Sequence, residues 1–88
     1  MDYIIIDVRE PQEYSMGHIE GAINIPSESL MNNAPELDDL PKNTPLVVYC
    51  KTGSRSLIAM GIIKKLGFTD ITNGINQTFA ERFIHERS

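Results

Sequence analysis

The sequence predicts a three-layer α/β/α domain around a small, mostly parallel sheet of four to five strands, and three observations lead there. Short β-branched runs alternate with helical segments, the spacing between runs suits right-handed crossovers, and 88 residues are enough for one core only. Residues 1–88 therefore read as a single domain. Hydrophobic residues make up 41% and charged residues 23%, the balance of a soluble globular chain and not of a disordered or fibrous one.

The elements follow in order. Tyr3 to Val8, YIIIDV, lacks helical spacing and is short, which predicts a buried strand with Asp7 near its C-terminal end. REPQEYSMG predicts a short helix, because Pro11 suits a first turn and Gly17 a left-handed stop. GAINIP is a second strand closed by Pro26, which holds Ile25 extended. From Ser27 to Thr44 turn formers and acids mix: Ser27 predicts a helix cap, Pro35 and Pro41 punctuate a loop, and Glu36, Asp38 and Asp39 form a solvated face. PLVVYC is a third buried strand. In RSLIAMGIIKKLGF the apolar Leu57, Ile58, Met60, Ile62, Ile63 and Leu66 predict a mostly buried helix, with Lys64 and Lys65 in its last turn and Gly67 as its stop. TDITNG is a fourth short strand, and NQTFAERFIHERS a closing amphipathic helix with Phe79 and Phe83 on one face. Met16, Met31 and Met60 read as gap-fillers in a small core.

A formal net charge of -4 provides no basic field for phosphate backbones, so a nucleic acid partner is not expected. No apolar stretch approaches a membrane span, and MDYIII places an acid where a secretory signal carries Lys or Arg; the expectation is a cytoplasmic protein, or a periplasmic one if a signal has been removed. The single cysteine, Cys50, has no partner for an internal disulfide, so it is either an inert buried residue or a chemical one.

Position favours chemistry. Cys50 ends the third strand, and ligands of open parallel sheets bind beyond such carboxyl ends. The helix that follows presents unpaired N–H groups and the positive end of its dipole, and a loop wrapped around the sulfur would form an anion nest. Lowering a thiol pKa from roughly 8.5 to about 7 requires about 2 kcal/mol of preference for the anion. A helix terminus supplies roughly 0.3–1 kcal/mol, so loop amides, Lys51 and Arg55 must add to it. Loop length separates two chemistries. A tyrosine phosphatase cradle needs five residues between cysteine and arginine, whereas Lys51, Thr52, Gly53 and Ser54 make four, a tighter loop suited to the outer sulfur of a persulfide.

DVRE (Asp7 to Glu10) with Glu13, GHIEGAINIP (Gly17 to Pro26) and VVYCKTGSRS (Val47 to Ser56) stand in an order and spacing that resemble a single-domain rhodanese. The resemblance implies a thiosulfate sulfurtransferase fold and activity: sulfane sulfur passes from thiosulfate or another donor to cyanide or a thiol through a persulfide on Cys50. It makes Lys51, Thr52, Gly53, Ser54 and Arg55 the cradle, with Lys51 and Arg55 attracting an anionic donor. It makes Asp7 and Arg9 a hydrogen-bonded pair bracing the active-site loop. Neither a metal nor an organic cofactor is implied, and the partners are a small anionic sulfur donor and a thiol acceptor, a small protein thiol included. His18 is expected to order the turn before the second strand and His85 to face solvent; two histidines so far apart make a weak metal case.

The chain departs from that family in two places. It begins almost at the DVR strand, so the family's preceding edge strand and helix are expected to be missing, and a small sheet then predicts modest stability and a monomer or weak homodimer. Where the family commonly has a double glycine and a tryptophan, Asn73, Gly74, Ile75 and Phe79 stand. A phosphatase-like enzyme and a non-catalytic docking module remain as alternatives.

Overall fold

The computed structural model describes residues 2–87, and among them strands and helices alternate: β1 (Ile4–Asp7), α1 (Pro11–Ser15), β2 (Ile23–Asn24), α2 (Ser27–Asn32), a single 3-10 turn (Pro35–Leu37), β3 (Leu46–Tyr49), α3 (Ser54–Lys65), β4 (Ile71–Ile75) and α4 (Gln77–Arg87). The sheet order is β2-β1-β3-β4, with every pairing parallel. The most apolar runs, β1 and β3, thus take the centre, and β3 is buried along its whole length. Each fully buried aliphatic side chain there contributes roughly 1.5–3 kcal/mol.

Alternation along the central strands divides the core in two. Ile6, Val8, Leu46, Val48 and Cys50 face one side, where α2, the 3-10 turn and α3 supply Leu30, Leu37, Ala59 and Ile63. Val47 and Tyr49 face the other, against Ile19, Ala22 and Ala80 of α4, with Tyr14 of α1 and Phe83 packed alongside. The result is the α/β/α sandwich expected from the sequence.

Four expectations are corrected. The α3 helix is not mostly buried: its core stripe is Ser56, Ala59 and Ile63, and small Ala59 lets the helix lie close to the sheet, which turns Leu57 (62% exposed) and Ile58 (63%) outward. Met16 (88% exposed) and Met31 fill no gap, since one ends α1 and the other lies on the outer side of α2, whose buried residue is Leu30; only Met60 packs on the core. Ser27 is the first residue of α2 and not its cap; its hydroxyl reaches the Val8 carbonyl at 3.5 Å. On α4, Phe83 packs inward while Phe79 remains largely exposed.

At the end of β4 the pairing with β3 shifts register, leaving Gly74 as an extra residue between Asn73 and Ile75. A Cβ on Gly74 would lie 2.8 Å from the Ala80 Cβ and 2.9 Å from Val47 Cγ1, so α4 sits against bare backbone here. Ile75 then turns with φ 68°, and the Asn76 N–H donates to the Gly74 carbonyl at 2.7 Å, closing a γ-turn in a region that β-branched residues rarely enter.

Two glycine substitutions should therefore act in opposite directions. Gly74→Ala overpacks the β4–α4 contact and is expected to cost about 1–3 kcal/mol. Gly61→Ala, in α3 with nothing within 4 Å of the new methyl, should gain about 0.5–1 kcal/mol. Urea unfolding midpoints of the two variants test both signs.

Candidate active site

Cys50 follows β3 directly, and its own N–H donates to the Ile75 carbonyl at 3.1 Å, which ties the residue to the end of β4. The chain then reverses through Lys51–Gly53, where Gly53 takes φ 97° and α3 begins at Ser54. That left-handed turn points amides back at the sulfur: Gly53 N–H donates to Cys50 Sγ at 3.0 Å and Ser56 N–H at 3.4 Å. The Ser56 hydroxyl lies 3.5 Å from the same sulfur. Cys50 is only 1% exposed, yet the backbone N–H groups of Gly53 and Ser56 point at its sulfur. Burial pushes the thiol up, while the Ser56 hydroxyl and the amides of Ser56, Gly53 and Thr52 push it down further, and the net pKa lies below its ordinary value.

With the fold and this geometry described, comparison with known proteins gives the family. The family model described as "Rhodanese-like domain" matches residues 1–77. The chain belongs to the rhodanese-like domain family. It is 48% identical over 66 residues to the "Probable adenylyltransferase/sulfurtransferase MoeZ" of Mycobacterium tuberculosis, a match covering 75% of this chain and 17% of that protein. It is 39% identical over 69 residues to "Thiosulfate sulfurtransferase PspE" of Escherichia coli, covering 77% of this chain and 64% of that one. The chain thus spans less than two thirds of either relative. Among solved structures, "rhodanese with anions from E. coli" superposes with a TM-score of 0.77 at 32% identity, covering 89% of this chain and 91% of that one. The Rhodanese_3 like domain of the Anabaena Alr3790 protein gives 0.76 at 28% identity, covering 94% and 93%.

Within this rhodanese-like domain the expected site residues do not all play the same geometric part. Thr52 and Ser54 approach each other through their hydroxyls at 3.2 Å on the exposed rim of the loop. Lys51 is exposed on the same rim. Arg55 is not an open cation: Glu13 of α1 binds it at 2.7 and 3.1 Å, which holds the guanidinium beside the loop and coupled to the Cys50 charge. Glu13 is itself fixed, since its carboxylate also accepts the Glu10 N–H at 2.9 Å, and these bonds hold its pKa down at about 2. Asp7 and Arg9 form a fully engaged pair, the shortest contact 2.7 Å, but the Arg9 guanidinium also donates to the Gly17 carbonyl at 2.7 Å and lies 5.5 Å over the Tyr49 ring. Its donor bonds go to Asp7 and Gly17 and not to residues 51–55; it fixes the Gly17 turn at the end of α1, and α1 in turn carries Glu13. His18 stacks on Tyr14 at 3.6 Å and contacts the Tyr14 carbonyl, ordering the turn before β2, and His85 is exposed.

Sequence reasoning missed Ser56 and Asn73, and gave Glu13 no role. Ser56 is fully buried, and its hydroxyl donates to Asn73 Oδ1 at 2.6 Å. The signal for Glu13 was present: an acid three residues after Glu10, ahead of a proline-started helix, is capping-box spacing. Among the described residues, His, Cys, Asp and Glu do not gather in a group of three or more that could hold a metal, and no helix is long and apolar enough to cross a membrane.

Two outcomes follow from these geometries. Iodoacetamide should alkylate Cys50 with a titration midpoint below the roughly 8.5 of a free thiol, and a midpoint at or above that value contradicts the inward-pointing amides. Because Glu13 titrates at about 2 instead of 4.5, the Arg55 ion pair stabilises the fold fully above pH 4.5 and loses that contribution as pH falls through about 2. Urea midpoints measured across that range should fall more steeply for the parent chain than for Glu13→Gln.

Proposed function

We propose that the chain is a sulfurtransferase that moves sulfane sulfur from thiosulfate, or another persulfide donor, to a thiophilic acceptor such as cyanide or a thiol, through a persulfide on Cys50. The observation that supports this reading best is the convergence of the Gly53 and Ser56 amides on one sulfur. Such a cradle favours an anion over a neutral thiol, and the terminal sulfur of a persulfide is an anion of the same kind. Relatives named as sulfurtransferases support the same chemistry.

In the first half-reaction the Cys50 thiolate attacks the outer sulfur of thiosulfate. An S–S bond forms to Cys50, the donor's S–S bond breaks, and sulfite leaves with the electron pair of that bond. In the second, cyanide or a thiolate attacks the outer sulfur, and Cys50 departs as thiolate while thiocyanate or a new persulfide is released. Charge balances in both steps, and neither requires a metal or an organic cofactor. Lys51 and the partly exposed guanidinium of Arg55 attract the anionic donor; Glu13 offsets much of the Arg55 charge, so that the loop does not trap the product sulfite electrostatically. A cradle of four residues between Cys50 and Arg55 is one short of a phosphatase loop.

Intact mass spectrometry after incubation with thiosulfate tests the reading. A gain of one sulfur atom that is lost on adding cyanide and absent from Cys50→Ser is the expected result. No adduct with thiosulfate or with any persulfide donor overturns it in favour of a docking module.

A further inference from the structure

We propose that Asn73 is a positioning residue for the reacting sulfur: by holding the Ser56 hydroxyl and the Ile75 turn together, it sets which way the single Ser56 hydroxyl proton points. The inference rests on the reading of Cys50 as the sulfur carrier. It begins from a count of protons and acceptors. The Ser56 hydroxyl has one hydrogen and three acceptors within reach: Asn73 Oδ1 at 2.6 Å, the Gly53 carbonyl at 3.1 Å and Cys50 Sγ at 3.5 Å.

The amide orientation of Asn73 is fixed by chemistry. Its Oδ1 lies 2.9 Å from the Ile75 N–H, which can only donate, so the oxygen and not the nitrogen must face that amide. The same oxygen faces Ser56, and the serine must then be the donor. The Asn73 nitrogen is left to reach the Gly53 carbonyl at 3.4 Å. One side chain on β4 therefore contacts the cradle loop, the first turn of α3 and the positive-φ turn whose carbonyl accepts the Cys50 N–H. It touches the sulfur nowhere, so it acts through its neighbours.

Two arrangements of the hydroxyl follow. With Cys50 protonated, Ser56 donates to Asn73 and accepts from the thiol. Once the thiol has lost its proton to solvent base, the hydroxyl rotates to donate to the sulfur, and Asn73 Oδ1 keeps the Ile75 N–H alone. No covalent bond other than S–H breaks in this change. Asn73 thus favours the protonated state, and Ser56 serves whichever sulfur anion is present, thiolate or persulfide. The charged groups that face the loop are Lys51 on its rim and Arg55 on α3, the latter paired with Glu13 of α1, and these are the same in both arrangements.

The test is a double-mutant cycle read by the pH midpoint of iodoacetamide alkylation, with no sulfur donor present. In Asn73→Ser the shorter side chain can still accept the Ile75 N–H as a turn but falls short of Ser56. The midpoint is expected to drop by roughly half to one pH unit, the worth of one competing hydrogen bond. Ser56→Ala should raise the midpoint, and Asn73→Ser should add nothing to it in that background. A drop of the same size with Ser56 absent, or no drop with Ser56 present, overturns the proposal. If Asn73→Ser fails to fold by circular dichroism, Asn73→Asp carries the test with the opposite sign: its upward shift must shrink when Ser56 is alanine, and an unchanged shift overturns the proposal. A chain that shows this coupling but takes no sulfur from thiosulfate keeps the positioning role and loses the transfer reading.

Discussion

The site depends on Gly53 turning left-handed. At φ 97° an L side chain is strained, and a Cβ there would also press on Ile75 Cγ2 at 3.2 Å. This turn brings the Gly53 and Ser56 amides onto one sulfur while starting α3 at the next residue. Magnitudes show which part matters. A helix terminus contributes roughly 0.3–1 kcal/mol to an anion, whereas each hydrogen bond to a charged group is worth roughly 1.5–3 kcal/mol. The amides, more than the dipole, offset the cost of burying Cys50.

Around that sulfur the electrostatics are local. The chain as a whole carries -4, yet the rim of the cradle bears Lys51 and Arg55. Glu13 grips Arg55 from α1, and Arg9 grips Asp7 and the Gly17 carbonyl, so the helix on one face of the sheet is fixed at both ends of its reach toward the loop on the other. The Glu13–Arg55 pair fixes geometry more than it adds stability, since partly exposed pairs contribute little on balance.

Much of this was legible in the residues. The strands announced themselves through β-branched runs between glycines and prolines, because those signals are local. The Cys50–Arg55 loop was legible because strand, glycine and helix start are adjacent in sequence. The orientation of α3 was not: Leu57, Ile58 and Ile63 are equally apolar, and only the close fit of Ala59 against the sheet decides which stripe turns inward. Ser56 and Asn73 lie 17 residues apart and Glu13 and Arg55 lie 42 apart, so both pairings are products of the tertiary fold. The Asn73–Ile75 departure from the family pattern was visible as a difference, but its meaning needed the turn that Ile75 makes.

The end of β4 has one more effect. The sheet order leaves β4 on an outer margin, where a free ladder of amides and carbonyls invites a foreign strand. The extra Gly74 and the backward twist at Ile75 break that ladder where it reaches the cradle. The kink whose carbonyl holds the Cys50 N–H therefore also interrupts the margin at which another strand could pair.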